Sequence, residues 1–193
     1  MFHDACYLCQ KNIGFFDKKI PKFVEGQKVV FCPPCANAWP QQQKNKAISL
    51  LYSGGDPTVL FTIPSVITHY QDEPGKGLLG PLLFTNKALC FAQFAEAETK
   101  NPLYNFGFKL GSAIAAQSGR RAQFDKIGPE ELQKIIFACS RLIVLPKDTI
   151  TEIEYKNGVQ VKIGNKSQNF KIHGNKKEAS VQFESLVRGY LQS

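Results

Sequence analysis

A chain of 193 residues with 43% hydrophobic and 21% charged residues has the composition of a soluble globular protein. Its length allows one medium domain, or a small module beside a domain of about 100–150 residues. No run approaches the roughly 18 uninterrupted apolar residues of a membrane span, and the opening MFHDAC lacks the basic and apolar regions of a signal peptide, so a cytoplasmic location is expected. The net charge of +8 permits an anionic partner. Only four of the 24 basic residues are arginine (Arg120, Arg121, Arg141, Arg188), and lysine is commonly a solvated charge rather than a bidentate phosphate or base reader.

In a reducing compartment, cysteines spaced as C-x-x-C signal metal or redox chemistry rather than structural disulfides. Cys6-Tyr7-Leu8-Cys9 and Cys32-Pro33-Pro34-Cys35 are two such pairs, separated by 22 residues. Each makes a tight knuckle that aims two thiolates at one point, and two knuckles supply the four soft ligands of a tetrahedral zinc ion. One structural Zn²⁺ on Cys6, Cys9, Cys32 and Cys35 is therefore expected, in a zinc-ribbon or treble-clef-like module. The alternative is a thioredoxin-like redox pair at Cys32 and Cys35, which needs a βαβ setting and leaves the other pair idle. The segment between the pairs fits a hairpin turning at Glu25-Gly26-Gln27. Its lysines, Lys11, Lys18, Lys19, Lys22 and Lys28, form a candidate contact face for phosphate groups or a protein partner.

After Cys35, ANAWPQQQKNKAISLLYSG reads as helical material interrupted at Pro40 and stopped at Ser53-Gly54-Gly55. Trp39, Ile48, Leu50 and Leu51 are its packing residues. A boundary at Gly54–Pro57 divides the chain into a zinc-finger module, 1–53, and a second domain, 57–193. The pattern C-x-x-C-x-K-x-I-G-F-F-x-K-K followed by CPPCA resembles a short zinc-finger module of unknown function at the N-terminus of many bacterial proteins. Gln10 stands where that module usually has glycine. The resemblance covers about 35 residues and implies a metal site but no activity.

From Pro57 onward the sequence reads as strands. TVLFTIPSVITHY is β-branched and aromatic, and GLLGPLLFTNKALCFAQF places two strands around Thr85-Asn86-Lys87. An insertion at about 95–141 is expected to be helical. Its first part, GFKLGSAIAAQSGRR, is rich in small residues that suit close packing on a neighbour or a second copy. Its second part has a helix start at Gly128-Pro129-Glu130-Glu131 and an apolar stripe of Leu132, Ile135, Ile136 and Cys139. Cys139 and Cys90 read as buried small hydrophobes.

TITEIEYKNGVQVKIGNKSQNFKIHG then alternates apolar and polar residues through three short strands. The last segment switches to a helical period, with Phe183, Leu186, Val187, Tyr190 and Leu191 on one face and Asn175 and Glu178 as its cap. A strand meander closed by such a helix, with LLFTNKALCF and LIVLPKDTITEI, resembles bacterial pleckstrin-homology-like and GRAM-like domains. The resemblance implies an α+β protein whose second domain is a PH-like β-barrel closed by the C-terminal helix.

No catalytic constellation is visible. The three histidines, His3, His69 and His173, are scattered, and no P-loop or dinucleotide fingerprint occurs. A non-enzymatic adaptor is expected, with the PH-like domain binding a protein or peptide. Recruitment to anionic lipid is disfavoured by Asp72 and Glu73 in the first hairpin loop, where phosphoinositide-binding relatives carry basic residues. Nucleic-acid binding through the finger lysines would read little sequence.

Overall fold

The computed structural model describes residues 4–24, 27–69, 76–98, 127–155, 158–172 and 180–192. Two short antiparallel pairs open the chain: β1 (Asp4–Ala5) with β2 (Asn12–Ile13), and β3 (Ile20–Val24) with β4 (Gln27–Phe31). The second is the hairpin expected between the cysteine pairs. Their core is small, with Cys6, Ile13, Phe31 and Ala36 buried and Trp39 packed against them. Phe31 and Trp39 meet with ring centroids 5.2 Å apart, and Tyr7 lies edge-on to Trp39 at 5.8 Å.

Helix α1 spans Pro33–Tyr52 without a break, which corrects the expected interruption at Pro40. Pro33 and Pro34 fall in the first turn, where no amide donor is needed. Pro40 forgoes one intrahelical hydrogen bond, a cost of about 3 kcal/mol in an unsupported helix. The helix survives because both of its ends are anchored. Ala36 and Trp39 pack into the finger, while Ala47, Ile48, Leu51 and Tyr52 pack on the next layer. Leu50, expected to pack as well, is 45% exposed.

That next layer is an eight-stranded antiparallel sheet built from β5 (Val59–His69), β6 (Lys76–Thr85), β7 (Ala88–Gln93), β8 (Ala95–Glu98), β9 (Arg141–Pro146), β10 (Glu152–Tyr155), β11 (Gly158–Ile163) and β12 (Lys166–Ile172). The order is β10-β11-β12-β5-β6-β7-β9, so the chain's last strand returns to lie beside the sheet's first. Strand β6 pairs with β8 through Lys76–Leu79 and with β7 through Leu82–Phe84. Gly80 sits where the partner changes, and a Cβ there would lie 1.8 Å from the Ala92 carbonyl oxygen. Ala95–Glu98 thus extend the sheet rather than begin a helical insertion. The small-residue stretch Gly111–Ala116, the loop 70–75 and the cap residues Asn175 and Glu178 lie outside the described residues. Helix α2 (Pro129–Ala138) starts as expected, with Gly128 before Pro129 and two glutamates in its first turn.

Every residue of β7 is buried, because both faces of the sheet are covered. Ala88, Cys90 and Ala92 face a cluster shared with Leu51 of α1 and Leu132, Ile135 and Ile136 of α2. Leu89 and Phe91 join the opposite cluster with Phe61, Phe84, Val161 and Phe170. Helix α3 (Ser180–Tyr190) covers that side through Val187 and Tyr190. The Tyr190 ring stands edge-on to Phe84 at 5.0 Å, and its hydroxyl donates to the Thr85 carbonyl at 2.9 Å.

The expected closed barrel does not form among the described residues. Strand β9 pairs only with β7 there, and β10 only with β11. Pro146, which has no amide to donate, ends β9, and a 3₁₀ turn at Lys147–Thr149 redirects the chain between them. Among the described residues no helix is long and apolar enough to cross a membrane.

One polar contact ties α1 to the far layer. Lys44, only 6% exposed, donates from Nζ to the carbonyls of Phe137 at 2.9 Å and Cys139 at 2.6 Å. These are terminal carbonyls of α2, which have no intrahelical partner and sit at the negative end of its dipole. Replacing Lys44 with methionine keeps the stem but strands both oxygens, so stability should fall by about 1–3 kcal/mol in urea unfolding. An unchanged unfolding midpoint would show that the contact carries no stability.

Candidate metal centre

Cys6 follows β1, and its knuckle is closed by backbone bonds from Cys6 N to Lys11 O at 2.8 Å and from Gln10 N to Cys6 O at 2.9 Å. Closing so tight a loop forces Gln10 to φ +59°, in the left-handed region. This accounts for the glycine that the finger resemblance places at that position. Gln10 offsets part of the strain by donating from Nε2 to the Tyr7 carbonyl at 2.8 Å. The second knuckle is the start of α1. Cys32 precedes its first turn and accepts from the Ala36 amide at 2.9 Å, while its own amide donates to Cys6 Sγ at 3.4 Å.

The four sulfur atoms of Cys6, Cys9, Cys32 and Cys35 all lie within 4.8 Å of one another, and Cys9 and Cys32 are 3.9 Å apart. A tetrahedral shell with zinc–sulfur bonds of about 2.3 Å puts its sulfurs about 3.8 Å apart. The cluster therefore has the size and donor set of a metal site, and none of its cysteines is in a disulfide. Without metal the thiols share protons unequally. Burial pushes the Cys6 thiol up, but the amides of Cys9, Cys32 and Leu8 and the Cys9 thiol outweigh it and bring it down to about 6. The Cys35 thiol is pushed up to about 12, first by its hydrogen bond with Cys32 and then by burial and the other two thiols. A divalent cation displaces these protons and removes the competition.

Cys32 and Cys35 do stand at a helix N-terminus, the setting of a redox pair. They follow an antiparallel hairpin rather than a βαβ strand, and the other two thiols stand beside them. Cys90 and Cys139 lie apart from the cluster, and burial raises both thiols above their ordinary value. His3 lies outside the described residues.

The five lysines do not share one surface. The β3–β4 register sets Lys22 opposite Val29, and Phe23 opposite Lys28, so Lys22 and Lys28 project from opposite faces of the hairpin. Lys11 and Lys18 are exposed in the loops on either side of β2, and Lys19 is half-buried before β3. Of the five, Lys22 alone lines a cleft of about 500 Å³ between β3, α1 and the start of β9. Tyr7, Phe23 and Trp39 give it an aromatic wall, and Lys46 and Arg141 add cations from α1 and β9. Among the described residues no acid lines it.

Sequence reasoning missed Lys44, although a signal was present. It precedes Ala47, Ile48 and Leu51 by three, four and seven positions, which puts it on the buried stripe of α1. Comparison with known proteins finds no family model, no curated protein and no solved structure that matches the chain.

Replacing Cys6 or Cys32 with serine removes a soft ligand from a site with no spare donor among the described residues. Each variant should lose the metal, and with it the ordered structure of residues 4–35, by elemental analysis and amide exchange. Protons compete for the same thiolates, so metal retention in the wild-type protein should rise with pH and fail on acidification. Full retention in both serine variants would exclude the four-thiolate site.

Proposed function

We propose that the protein is a non-enzymatic zinc-binding adaptor, in which a structural Zn²⁺ on Cys6, Cys9, Cys32 and Cys35 holds the finger and the sheet domain takes a protein partner. Four thiolates fill the coordination shell of zinc, leaving no position at which water or substrate could be activated. The sheet order, in which β12 returns to β5 and α3 packs over the strands, supports the PH-like reading of the second domain. A PH-like fold by itself carries no activity.

The observation that carries the interaction reading is the cleft between finger and sheet. Its aromatic wall offers rigid apolar contact, and Lys22 and Lys46 beside it favour an acidic segment. The placement of Lys22 and Lys28 on opposite hairpin faces speaks against the alternative of nucleic-acid binding through one basic strip.

The test is capture from the native cell on immobilised zinc-loaded protein, comparing wild type with the Lys22→Glu/Lys46→Glu variant. Lys46 is exposed and Lys22 half-buried, so zinc content and unfolding midpoint are measured on the variant beside its capture. A partner held by the wild type, with an acidic contact segment, should be released from the variant. Identical capture by both would remove the cleft as the binding site. Retention of nucleic acid alone, weakening steeply with salt, would replace the adaptor reading.

A further inference from the structure

The loop between β2 and β3 carries the most exposed large apolar side chains among the described residues. Phe15 is 85% exposed and Phe16 is 97% exposed, about twice as open as Tyr7 at 41% and Phe23 at 46% in the same module. Single exposed apolar residues are ordinary, but two adjacent phenylalanines fully in water call for a reason.

The loop is a built element. The Asp17 amide donates to the Gly14 carbonyl at 3.1 Å, closing a turn whose two central residues are Phe15 and Phe16. The Asp17 carboxylate returns to accept from the Gly14 amide at 2.8 Å. A Cβ on residue 14 would lie 2.9 Å from that carboxylate oxygen, so glycine is what lets the lock close. Ile13, just before the turn, is 3% exposed in the finger core and anchors its base. Both rings are thus held at the corner of a turn, packed edge to face with centroids 5.3 Å apart.

Along the segment Cys6–Val24 lysines outnumber acids. Asp17 is the only acid between Cys6 and Val24, and its carboxylate is engaged within the turn. Lys18 and Lys19 follow directly, with Lys18 exposed. We propose that the Gly14–Lys19 turn is a membrane-contact tip, seating Phe15 and Phe16 in the interfacial layer of an anionic bilayer while Lys18 meets its headgroups.

The shape selects this occupant. A convex apolar corner fits a fluid surface that deforms around it, whereas a folded protein would have to supply a matching pocket. Phenylalanine and lysine side by side are the composition of interfacial anchors, and juxtamembrane lysines draw on the surface potential of anionic lipid. One such tip gives reversible attachment, as a single anchoring signal does. The proposal does not depend on what fills the cleft, so the two can fail separately.

The test is sedimentation of the zinc-loaded full chain with phosphatidylcholine vesicles, with and without phosphatidylglycerol. The wild type should sediment with the anionic vesicles and much less with neutral ones. Phe15→Ala/Phe16→Ala should lower partitioning by about tenfold or more, with zinc content and unfolding midpoint unchanged because the rings pack on little else. Lys18→Glu should lower it by at least about fivefold, and Phe15→Trp/Phe16→Trp should keep it. Equal sedimentation of wild type and the double-alanine variant would overturn the proposal. So would failure of the wild type to bind anionic vesicles while it binds single-stranded RNA through the same two residues.

Discussion

The structure depends on four thiols being brought within 4.8 Å of one another. The finger around them has four fully buried core residues and two short hairpin-like pairs, far less apolar burial than a module of this size needs to fold alone. Convergence of the sulfurs sets the left-handed turn at Gln10, fixes Cys32 as the residue before α1, and so decides where the long helix begins and which way it leaves. A metal held by the four thiolates would turn that geometry into folding free energy, which for structural zinc sites is of order 10 kcal/mol. No other interaction within the finger is comparable.

Helix α1 then carries the constraint outward. Its first turns belong to the metal centre and its last turns to the sheet, so a twenty-residue helix with an internal proline remains straight enough to join them. At the sheet it shares a core with α2 and the small residues of β7, and Lys44 closes the open end of α2. The cleft exists because of this arrangement: β3 comes from the finger, Lys46 from the helix and Arg141 from the sheet. Neither half of the chain alone would present that combination of rings and cations.

The features legible in the sequence were those written locally. The cysteine spacing needs only knuckle chemistry, and Gly128-Pro129-Glu130-Glu131 is a self-contained helix start. The alternation of Ile153, Val159, Val161 and Phe170 places one face of three strands in the core without knowledge of what covers it. The features that escaped depend on contacts distant in sequence. Pro40 stays helical because packing on both sides overrides a local preference. Lys44 finds its partners more than ninety residues away. Separation of β9 from β10 follows from Pro146, the turn after it and the helix that fills the space, none of which strand periodicity reports. The lysines between the cysteine pairs read as one strip in sequence, and strand register sets two of them, Lys22 and Lys28, on opposite faces.

The account stands on the identity and number of the metal ligands. X-ray absorption at the zinc edge of the purified protein measures both. Four sulfur scatterers at about 2.3 Å, with one zinc per chain, is the expected result. A shell containing nitrogen or oxygen, or a protein fully folded through Cys6–Cys35 without any metal, would contradict it.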